Sequence, residues 1–406
     1  PATRSAPGQR SLIPRTTVSR AIAALAVAAV AGLPGCASLV SSVPRLPPPP
    51  VLDARPPLVV DAPAIRYYPH DSAELRRDLE ETYQRERAMR GVPNDAVLPE
   101  ASFLALSGGG QNGAFGAGLL VGWTEHGDRP EFRIVTGVST GALIAPFAFL
   151  GPAWNKTLTR LYTEVSSKDI VEERNISAAL FDDALADNLP LQKLVEANVT
   201  DEVLEALARE SLRGRTLLVA TTDLDTRRTV FWNLTLMAEV RTPRTLDLVR
   251  RILVASAAIP GELPPAMIDV EVDGKRYQEM HVDGGTTTQV FLLPRDILLS
   301  DLAARSRTVY VIRNGHLHIR PREVPRSALE IVKQAIASLI HTQAIGNLYQ
   351  IALRAEHDGS ALRIAFIPDA FTLEERDDFD RDYMNELFLL GYKMARDGFP
   401  WLTAPP

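Results

Sequence analysis

The chain has 406 residues and a formal net charge of −6 at neutral pH, with 44 Lys and Arg against 50 Asp and Glu. That balance excludes the basic footprint of a typical nucleic-acid binder, so we expect no nucleic-acid partner. Hydrophobic residues make up 46% of the sequence, which is enough for a large core, and the length exceeds that of one small domain. The single cysteine, Cys36, excludes an internal disulfide framework.

Residues 1–35 have the layout of a secretory signal peptide. Basic residues without acidic ones precede an apolar run, residues 21–33, which is shorter than the roughly 20 residues that a membrane-spanning helix needs. The run ends in Leu33-Pro34-Gly35-Cys36, which resembles a bacterial lipobox, although Pro34 replaces the usual small residue. In bacterial lipoproteins the cysteine carries a diacylglyceryl group and becomes the first mature residue. A cleaved signal with an incidental cysteine and a weak membrane anchor are the alternatives.

The residue after the cysteine is Ala37 rather than Asp. By the same resemblance, this indicates a lipoprotein anchored to the bacterial outer membrane through Cys36. We expect the periplasmic face rather than the cell surface.

Residues 36–98 are predicted to form a linker and one charged helix. Pro44 and the run 47–50 favour extended polyproline geometry, which would hold a folded body away from the bilayer. Residues 71–90 mix acidic and basic side chains as in a helix with a solvated face.

A short apolar strand, residues 103–106, leads into the loop Ser107-Gly108-Gly109-Gly110-Gln111-Asn112-Gly113 and then into a helix over residues 114–126. Such a loop presents backbone N–H groups at a helix N-terminus, where an anion can bind. A dinucleotide site would need an acidic residue at the end of the next strand, and Glu131 precedes that strand. A P-loop would need Lys where Ala114 stands. An oxyanion hole would need a nucleophile nearby.

The next strand supplies a nucleophile. Residues 132–136 run into Gly137-Val138-Ser139-Thr140-Gly141, and another helix follows. Gly-x-Ser-x-Gly at a strand-to-helix turn is a nucleophile elbow, which presents the serine hydroxyl beside a helix N-terminus. Ser139 is therefore the predicted nucleophile, supported by Gly137 and Gly141, and the preceding glycine loop is interpreted as its oxyanion hole.

Together with His281-Val282-Asp283-Gly284-Gly285, these motifs resemble the patatin-like phospholipases. That family joins a Gly-Gly-Gly-x-[Arg/Lys]-Gly loop to Gly-x-Ser-x-Gly and later to Asp-Gly-[Gly/Ala], and all three occur here in that order. The similarity covers roughly residues 101–300. Asn112 departs from the pattern because it replaces the basic residue of the loop.

The resemblance implies a Ser139–Asp283 dyad that cleaves fatty-acyl esters, with Asp283 as general base and then proton donor. A carboxylate is a weak base, so we expect burial to raise its pKa. The implied oxyanion donors are the N–H groups of Gly108, Gly109 and Gly110. Gly113, Gly284 and Gly285 are implied as supports of the motifs. No metal or cofactor is implied.

Several other polar residues have simpler interpretations. Asp223 and Asp225 are predicted to form a turn rather than a metal site. Asp273-Gly274 is predicted to be a hairpin turn. His281 is predicted to be a packed or solvated strand residue without a catalytic role, whereas a histidine triad using His316 or His318 remains an alternative.

These elements predict an α/β fold, namely a three-layer α/β/α sandwich with a largely parallel central sheet. The catalytic core is expected at residues 99–300, with residues 301–406 as an α/β extension whose last helix, residues 373–396, either completes the sandwich or forms a lid. The predicted substrate is a lipid, with phospholipid expected. A general carboxylesterase, thioesterase or acyltransferase on the same dyad, and a silent lipid-binding lipoprotein, are the alternatives.

Overall fold

In a computed structural model, the described residues are 44–50, 56–60, 62, 64–70, 72–170, 172–173, 184, 186–319, 321 and 323–406. The predicted signal peptide and the predicted lipidation site Cys36 lie outside these residues. None of the described helices is both long and apolar enough to cross a membrane.

The described strands and helices alternate along much of the chain. The strands are β1 (Leu58–Val59), β2 (Arg66–Tyr67), β3 (Ala101–Leu106), β4 (Phe132–Val138), β5 (Glu172–Glu173), β6 (Ala186–Asp187), β7 (Thr216–Asp223), β8 (Arg228–Asn233), β9 (Ala266–Val272), β10 (Lys275–Asp283), β11 (Arg307–Arg313) and β12 (Ala361–Phe366). The helices are α1 (Ala73–Arg90), α2 (Gly113–His126), α3 (Thr140–Leu150), α4 (Asn155–Thr163), α5 (Ser167–Ile170), α6 (Leu189–Asn198), α7 (Asp201–Leu212), α8 (Leu234–Glu239), α9 (Thr245–Ser256), α10 (Leu299–Leu302), α11 (Ala328–His357) and α12 (Arg381–Arg396).

The central sheet has the strand order β1-β9-β10-β7-β4-β3-β11-β12, with β8 on β7 and β2 on β8. Strands β7, β4, β3, β11 and β12 run parallel to one another. Strands β10, β9, β1, β8 and β2 join the sheet through antiparallel pairings. The predicted mixed α/β fold is confirmed, and its parallel part is these five strands.

Side chains alternate between the two faces of the sheet and fill two separate cores. On β3, Leu104 and Leu106 lie in one core, whereas Phe103 and Ala105 lie in the other. Residues of α2, α3, α9 and α12 cover the first core, and residues of α1 and α11 cover the second. The arrangement is therefore helix, sheet, helix, as predicted.

Helix α12 packs directly on α2 as part of the helical layer. A Cβ atom added at Gly118 would lie 2.0 Å from the Phe388 carbonyl oxygen, and one at Gly122 would lie 2.1 Å from that of Tyr392. On α12, a Cβ at Gly391 would lie 2.3 Å from the Phe115 carbonyl oxygen. Of the two alternatives for this helix, the structure shows the one that completes the sandwich.

The last helix begins later than the sequence predicts, at Arg381 rather than near residue 373. Asp380 is its N-cap, because the carboxylate accepts hydrogen bonds from the N–H groups of Asp382 and Tyr383. Such a cap satisfies donors that have no partner inside the helix. The residues before it form a loop that includes Phe379 at a φ of 56°.

The described part of the proline-rich segment lies along the folded body and does not form a free spacer. Arg45 forms a bidentate ion pair with Asp225, at 3.0 and 2.6 Å, and the Pro47 carbonyl accepts the N–H of Gln278 at 3.1 Å. Proline cannot donate such a bond, but its carbonyl can accept one. Further along the chain, β1 and β2 extend the sheet.

The predicted hairpin turn at Asp273-Gly274 is confirmed. It joins the antiparallel strands β9 and β10, with φ values of 50° and 74° at its two central residues. These values are typical of the turn that matches the natural twist of a hairpin.

Candidate active site

Ser139 lies in the tight turn between β4 and α3. Its φ and ψ are 55° and −127°, a conformation that residues with a Cβ rarely adopt, and the residue is only 6% exposed. A Cβ at Gly137 would lie 2.5 Å from the Gly141 carbonyl oxygen, and one at Gly141 would lie 2.5 Å from that of Leu106. The two predicted elbow glycines are therefore required by close backbone packing around the serine.

Strand β7 brings Asp283 to this turn. On the edge of β7 opposite β8, Val138 at the end of β4 pairs with Ala220, and Asp283 at the end of β10 pairs with the next residue, Thr221. The two strands therefore end facing each other at adjacent residues of β7, which brings Ser139 and Asp283 together. The Ser139 hydroxyl lies close enough to the Asp283 carboxylate to oppose the rise in the pKa of that carboxylate.

Burial controls the ionisation of Asp283. The residue is 5% exposed, and the loss of solvent raises its pKa to about 7. The interaction with the Ser139 hydroxyl and the hydrogen bond from the Gly285 N–H, at 2.6 Å, oppose this shift, while the charge of Glu262 adds to it. A carboxylate with a pKa near 7 is a suitable general base at neutral pH.

The loop of predicted oxyanion donors differs from the prediction at Gly108. The Gly108 N–H donates to the Gln289 carbonyl at 3.0 Å, so it cannot also serve as an oxyanion donor. A Cβ at Gly108 would lie 3.2 Å from the Cβ of Ser139, so Gly108 is where the loop approaches the serine. In the described part of the chain, no hydrogen bond uses the N–H groups of Gly109 or Gly110.

Thr140 supplies another candidate donor that the sequence analysis missed. It is the first residue of α3, where a backbone N–H has no partner inside the helix. The residue directly after the nucleophile often contributes to an oxyanion hole. The position of Thr140 directly after Ser139 is the feature of the sequence that indicates this role.

A second missed residue, Ser256, holds the elbow to the sheet. Its hydroxyl accepts the N–H of Ser139 at 3.0 Å and donates to the Ala220 carbonyl at 2.7 Å. Two residues later, the Ala258 carbonyl accepts the N–H of Asp283 at 2.8 Å. The end of α9 therefore fixes the backbone of both dyad residues.

Gln289 and Asn112 also have roles that depend on distant partners. The Gln289 side-chain amide donates to the Gly285 carbonyl at 2.9 Å, and the Gln289 backbone carbonyl accepts the Gly108 N–H. Gln289 therefore joins the Asp283 turn to the glycine loop. The side chain of Asn112, which departs from the family pattern, accepts a hydrogen bond from the Tyr383 hydroxyl at 2.7 Å. It therefore joins the loop to α12.

The other predicted motif glycines occupy crowded positions. A Cβ at Gly113 would lie 2.1 Å from the Thr140 hydroxyl oxygen, and one at Gly284 would lie 2.5 Å from the Ala220 carbonyl oxygen. One at Gly285 would lie 2.9 Å from a carboxylate oxygen of Asp283.

The histidines have partners away from the dyad. His281 is fully buried and contacts the Thr221 hydroxyl at 2.9 Å and the Glu279 carboxylate at 3.0 Å. His316 contacts the Ile367 carbonyl, and His318 pairs with Asp369. None of the three is among the neighbours that set the pKa of Asp283.

The predicted turn at Asp223 and Asp225 is also present. The Asp223 carboxylate accepts the N–H of Asp225 at 3.1 Å and the hydroxyl of Thr226 at 2.6 Å. Within the described ranges, no group of three or more His, Cys, Asp or Glu side chains is arranged to hold a metal ion.

An apolar cavity of about 60 Å³ adjoins the elbow. Gly110 and Thr140 form part of its wall, next to Ser139, and the remaining wall is mostly aliphatic and aromatic. That wall includes Leu143, Phe147, Leu194 and Leu253. The cavity therefore offers an apolar surface beside the serine, which suits the hydrocarbon part of a substrate.

Comparison with known proteins identifies the family of the central part of the chain. Residues 104–294 match the family model of the patatin-like phospholipases. The alignment with a solved structure, VipD from Legionella pneumophila, covers 73% of this chain and 66% of the VipD chain. The two chains are 13% identical over it, and the TM-score is 0.32. The alignment thus leaves about a third of VipD uncovered, and no curated protein matches the chain. Residues 104–294 therefore form a patatin-like phospholipase domain, a domain of a lipid-hydrolase family.

Proposed function

We propose that the chain hydrolyses fatty-acyl ester bonds of lipids, with phospholipids as the expected substrates, through Ser139 as nucleophile and Asp283 as general base. The observation that supports this most strongly is the meeting of the Ser139 elbow and the buried Asp283 carboxylate at adjacent residues of β7, where the Ser139 hydroxyl affects the pKa of that carboxylate. The apolar cavity next to them supports a substrate with an apolar acyl group.

In the first half of the reaction, ionised Asp283 takes the hydroxyl proton as the Ser139 oxygen attacks the acyl carbonyl. The carbonyl oxygen gains negative charge, and the N–H groups of Gly109, Gly110 and Thr140 stabilise it together with the N-terminus of α3. The tetrahedral intermediate collapses, the C–O bond to the alcohol breaks, and Asp283 returns the proton to that alcohol.

In the second half, a water molecule attacks the acyl-serine while Asp283 takes a proton from it. The Ser139 oxygen then leaves with that proton, which releases the fatty acid and restores the dyad. No step in this scheme uses a group other than these side chains, backbone donors and water.

The test compares the full chain with Ser139→Ala, using a fluorophosphonate probe and esters with acyl chains of increasing length, including diacyl phospholipids. We expect Ser139→Ala to lose labelling and to lose hydrolysis by a factor on the order of a thousand or more, because the covalent intermediate cannot form. Ser338→Ala is a matched control, since Ser338 is exposed on α11 and bonds only to its own helix.

Each alternative predicts a different result. An unlabelled native chain that still binds lipid would support a silent lipid-binding protein and contradict the proposal. Activity restricted to short esters or thioesters, or transfer to an added alcohol in preference to water, would reassign the substrate or acceptor. Hydrolysis by Ser139→Ala at the native rate would exclude the dyad.

A further inference from the structure

Arg313, at the end of β11, is a buried cation without an acidic partner among the described residues. It is 5% exposed, and its pKa is lowered to about 10 by burial alone, so it remains charged at neutral pH. Its Nη1 donates to the Gly108 carbonyl at 3.2 Å and to the Ser107 hydroxyl at 3.4 Å. Burial of an unpaired charge is costly, so such an arrangement calls for an explanation beyond packing.

The carbonyl that Arg313 contacts belongs to the peptide unit that carries the Gly109 N–H. The Ser107 hydroxyl also donates to this carbonyl, at 2.7 Å. In a trans peptide the C=O and the N–H point in opposite directions. Two donors that hold the Gly108 carbonyl therefore fix the direction of the Gly109 N–H, in the part of the loop that approaches Ser139.

Asn314, the next residue, holds the same loop at close range. Its side chain donates to the Ser107 carbonyl at 2.9 Å and accepts the N–H of Gly116 at 3.1 Å. A Cβ at Gly109 would lie 2.1 Å from the Asn314 carbonyl oxygen. The loop therefore has little freedom to rotate the Gly109 peptide while β11 is in place.

We propose that Arg313 is a positioning residue for the oxyanion hole, which aims and polarises the Gly109 N–H through the Gly108 carbonyl. The inference rests on the proposed function, since it assigns Gly109 as an oxyanion donor. Hydrogen bonds that share a peptide group strengthen one another, and a fixed positive charge in a water-poor site favours the developing oxyanion. The loop, residues 107–113, has no charged side chain of its own, and Arg313 brings a positive charge to it.

The experiment measures kcat and KM per active site for a soluble ester, with active sites titrated by the fluorophosphonate, in Arg313→Met and Arg313→Lys. Removal of one oxyanion donor typically lowers kcat by about 100-fold to 1000-fold. Because the donor is displaced and not deleted, we expect Arg313→Met to lower kcat by roughly 10-fold to 100-fold with KM nearly unchanged. Arg313→Lys keeps the charge and should recover part of the loss.

A tetrahedral mimic gives a readout that a merely structural role would not change. An alkyl trifluoromethyl ketone should bind Arg313→Met more weakly by about the same factor as kcat/KM falls. Arg129→Met is the matched control, because Arg129 also donates to backbone carbonyls, of Leu120 and Ala148, and has its pKa lowered to about 10 mainly by burial. Its loss should reduce the melting temperature and leave kcat per active site and inhibitor affinity unchanged.

Three outcomes would decide between the claims. Native kcat per active site and native inhibitor affinity in Arg313→Met, with Ser139→Ala inactive, would overturn the inference and leave the proposed function intact. Equal losses in Arg129→Met and Arg313→Met would assign Arg313 to stability alone. Full activity in Ser139→Ala would overturn the proposed function itself.

Discussion

The acid–base behaviour of the site depends on one residue, Asp283. Its carboxyl group is buried next to Ser139, and its pKa is raised to about 7, mainly by the loss of solvent. In the proposed mechanism only the ionised form accepts the serine proton. Activity and stability should therefore both depend on pH in the range where this group ionises.

We expect kcat/KM for ester hydrolysis to rise with pH up to about 7 and then to level off. Below that pH the rate should fall about tenfold per pH unit, because the fraction of ionised Asp283 falls by that factor. A pH–rate profile of the full chain on a soluble ester measures this. A profile that is flat from pH 5 to pH 8 would contradict the assignment of Asp283 as the base.

The control compares the thermal stability of the native chain with that of Asp283→Asn. The difference between them depends on the ionisation of Asp283 and not on catalysis. The folded pKa lies above the unfolded value of about 4, so the native chain loses stability as the pH rises from about 4 through about 7. This loss is on the order of a few kcal/mol, since each pKa unit corresponds to about 1.4 kcal/mol. Asp283→Asn cannot ionise and should melt higher than the native chain at pH 8, with a smaller difference at pH 4.

Short motifs predicted the two residues of the proposed dyad, whereas the residues that support them could not be predicted. Ser139 and Asp283 lie in local patterns that a strand end and its turn explain. The hydrogen bond from Gly108 to Gln289, and those from Arg313 to the loop, join residues far apart in the chain. Such partners depend on strand order, which no local pattern specifies. The N–H groups of Gly108, Gly109 and Gly110 therefore could not be distinguished from the sequence, and all three were predicted to be oxyanion donors.

At the scale of elements, the contact between α2 and α12 is made by glycines. Apolar residues at helical spacing, among them Phe115, Leu119 and Trp123, predict the helix over residues 114–126, and these side chains are in the core. The same pattern gave no sign that Gly118 and Gly122 face another helix, because a glycine has no side chain whose burial can be inferred. Which backbone packs against a glycine is known only from the three-dimensional structure.

We expect Gly118→Ala to destabilise the fold by more than about 2 kcal/mol, because the new methyl group would overlap the Phe388 carbonyl and push α12 away from α2. Thermal or urea denaturation of both proteins measures the difference. Gly346→Ala is the matched control, since it lies in the interior of α11 with nothing within 4 Å of the added carbon. There alanine should be neutral or stabilising by up to about 1 kcal/mol. Equal stability of Gly118→Ala and Gly346→Ala would contradict the packing described here.

At the scale of the whole molecule, the chain outside residues 104–294 contributes to the sheet and to the site. Strand β11 lies between β3 and β12, and it ends at Arg313, next to the glycine loop. At the other end of the chain, residues before β3 form β1 and β2 and dock Arg45 on Asp225. Proline-rich composition predicted an extended linker, but it could not indicate that the chain packs along the body, because the groups that Arg45 and Pro47 contact lie far along the sequence.

The remaining prediction concerns anchoring. If Cys36 carries lipid, the eight residue steps from Cys36 to Pro44 span at most about 30 Å when fully extended. Because the segment from Pro44 is docked on the body, the catalytic domain would be held near the bilayer and not on a long spacer. Several acyl chains on one cysteine anchor a protein stably, whereas one chain gives only marginal binding. We therefore expect the native chain expressed in bacteria to fractionate with membranes and to carry a diacylglyceryl mass that Cys36→Ser lacks. Cys36→Ser should keep its ester hydrolysis, since Ser139 and Asp283 lie elsewhere. Recovery of both proteins in the soluble fraction, without lipid mass on the native chain, would contradict the anchor and leave the proposed hydrolysis untouched.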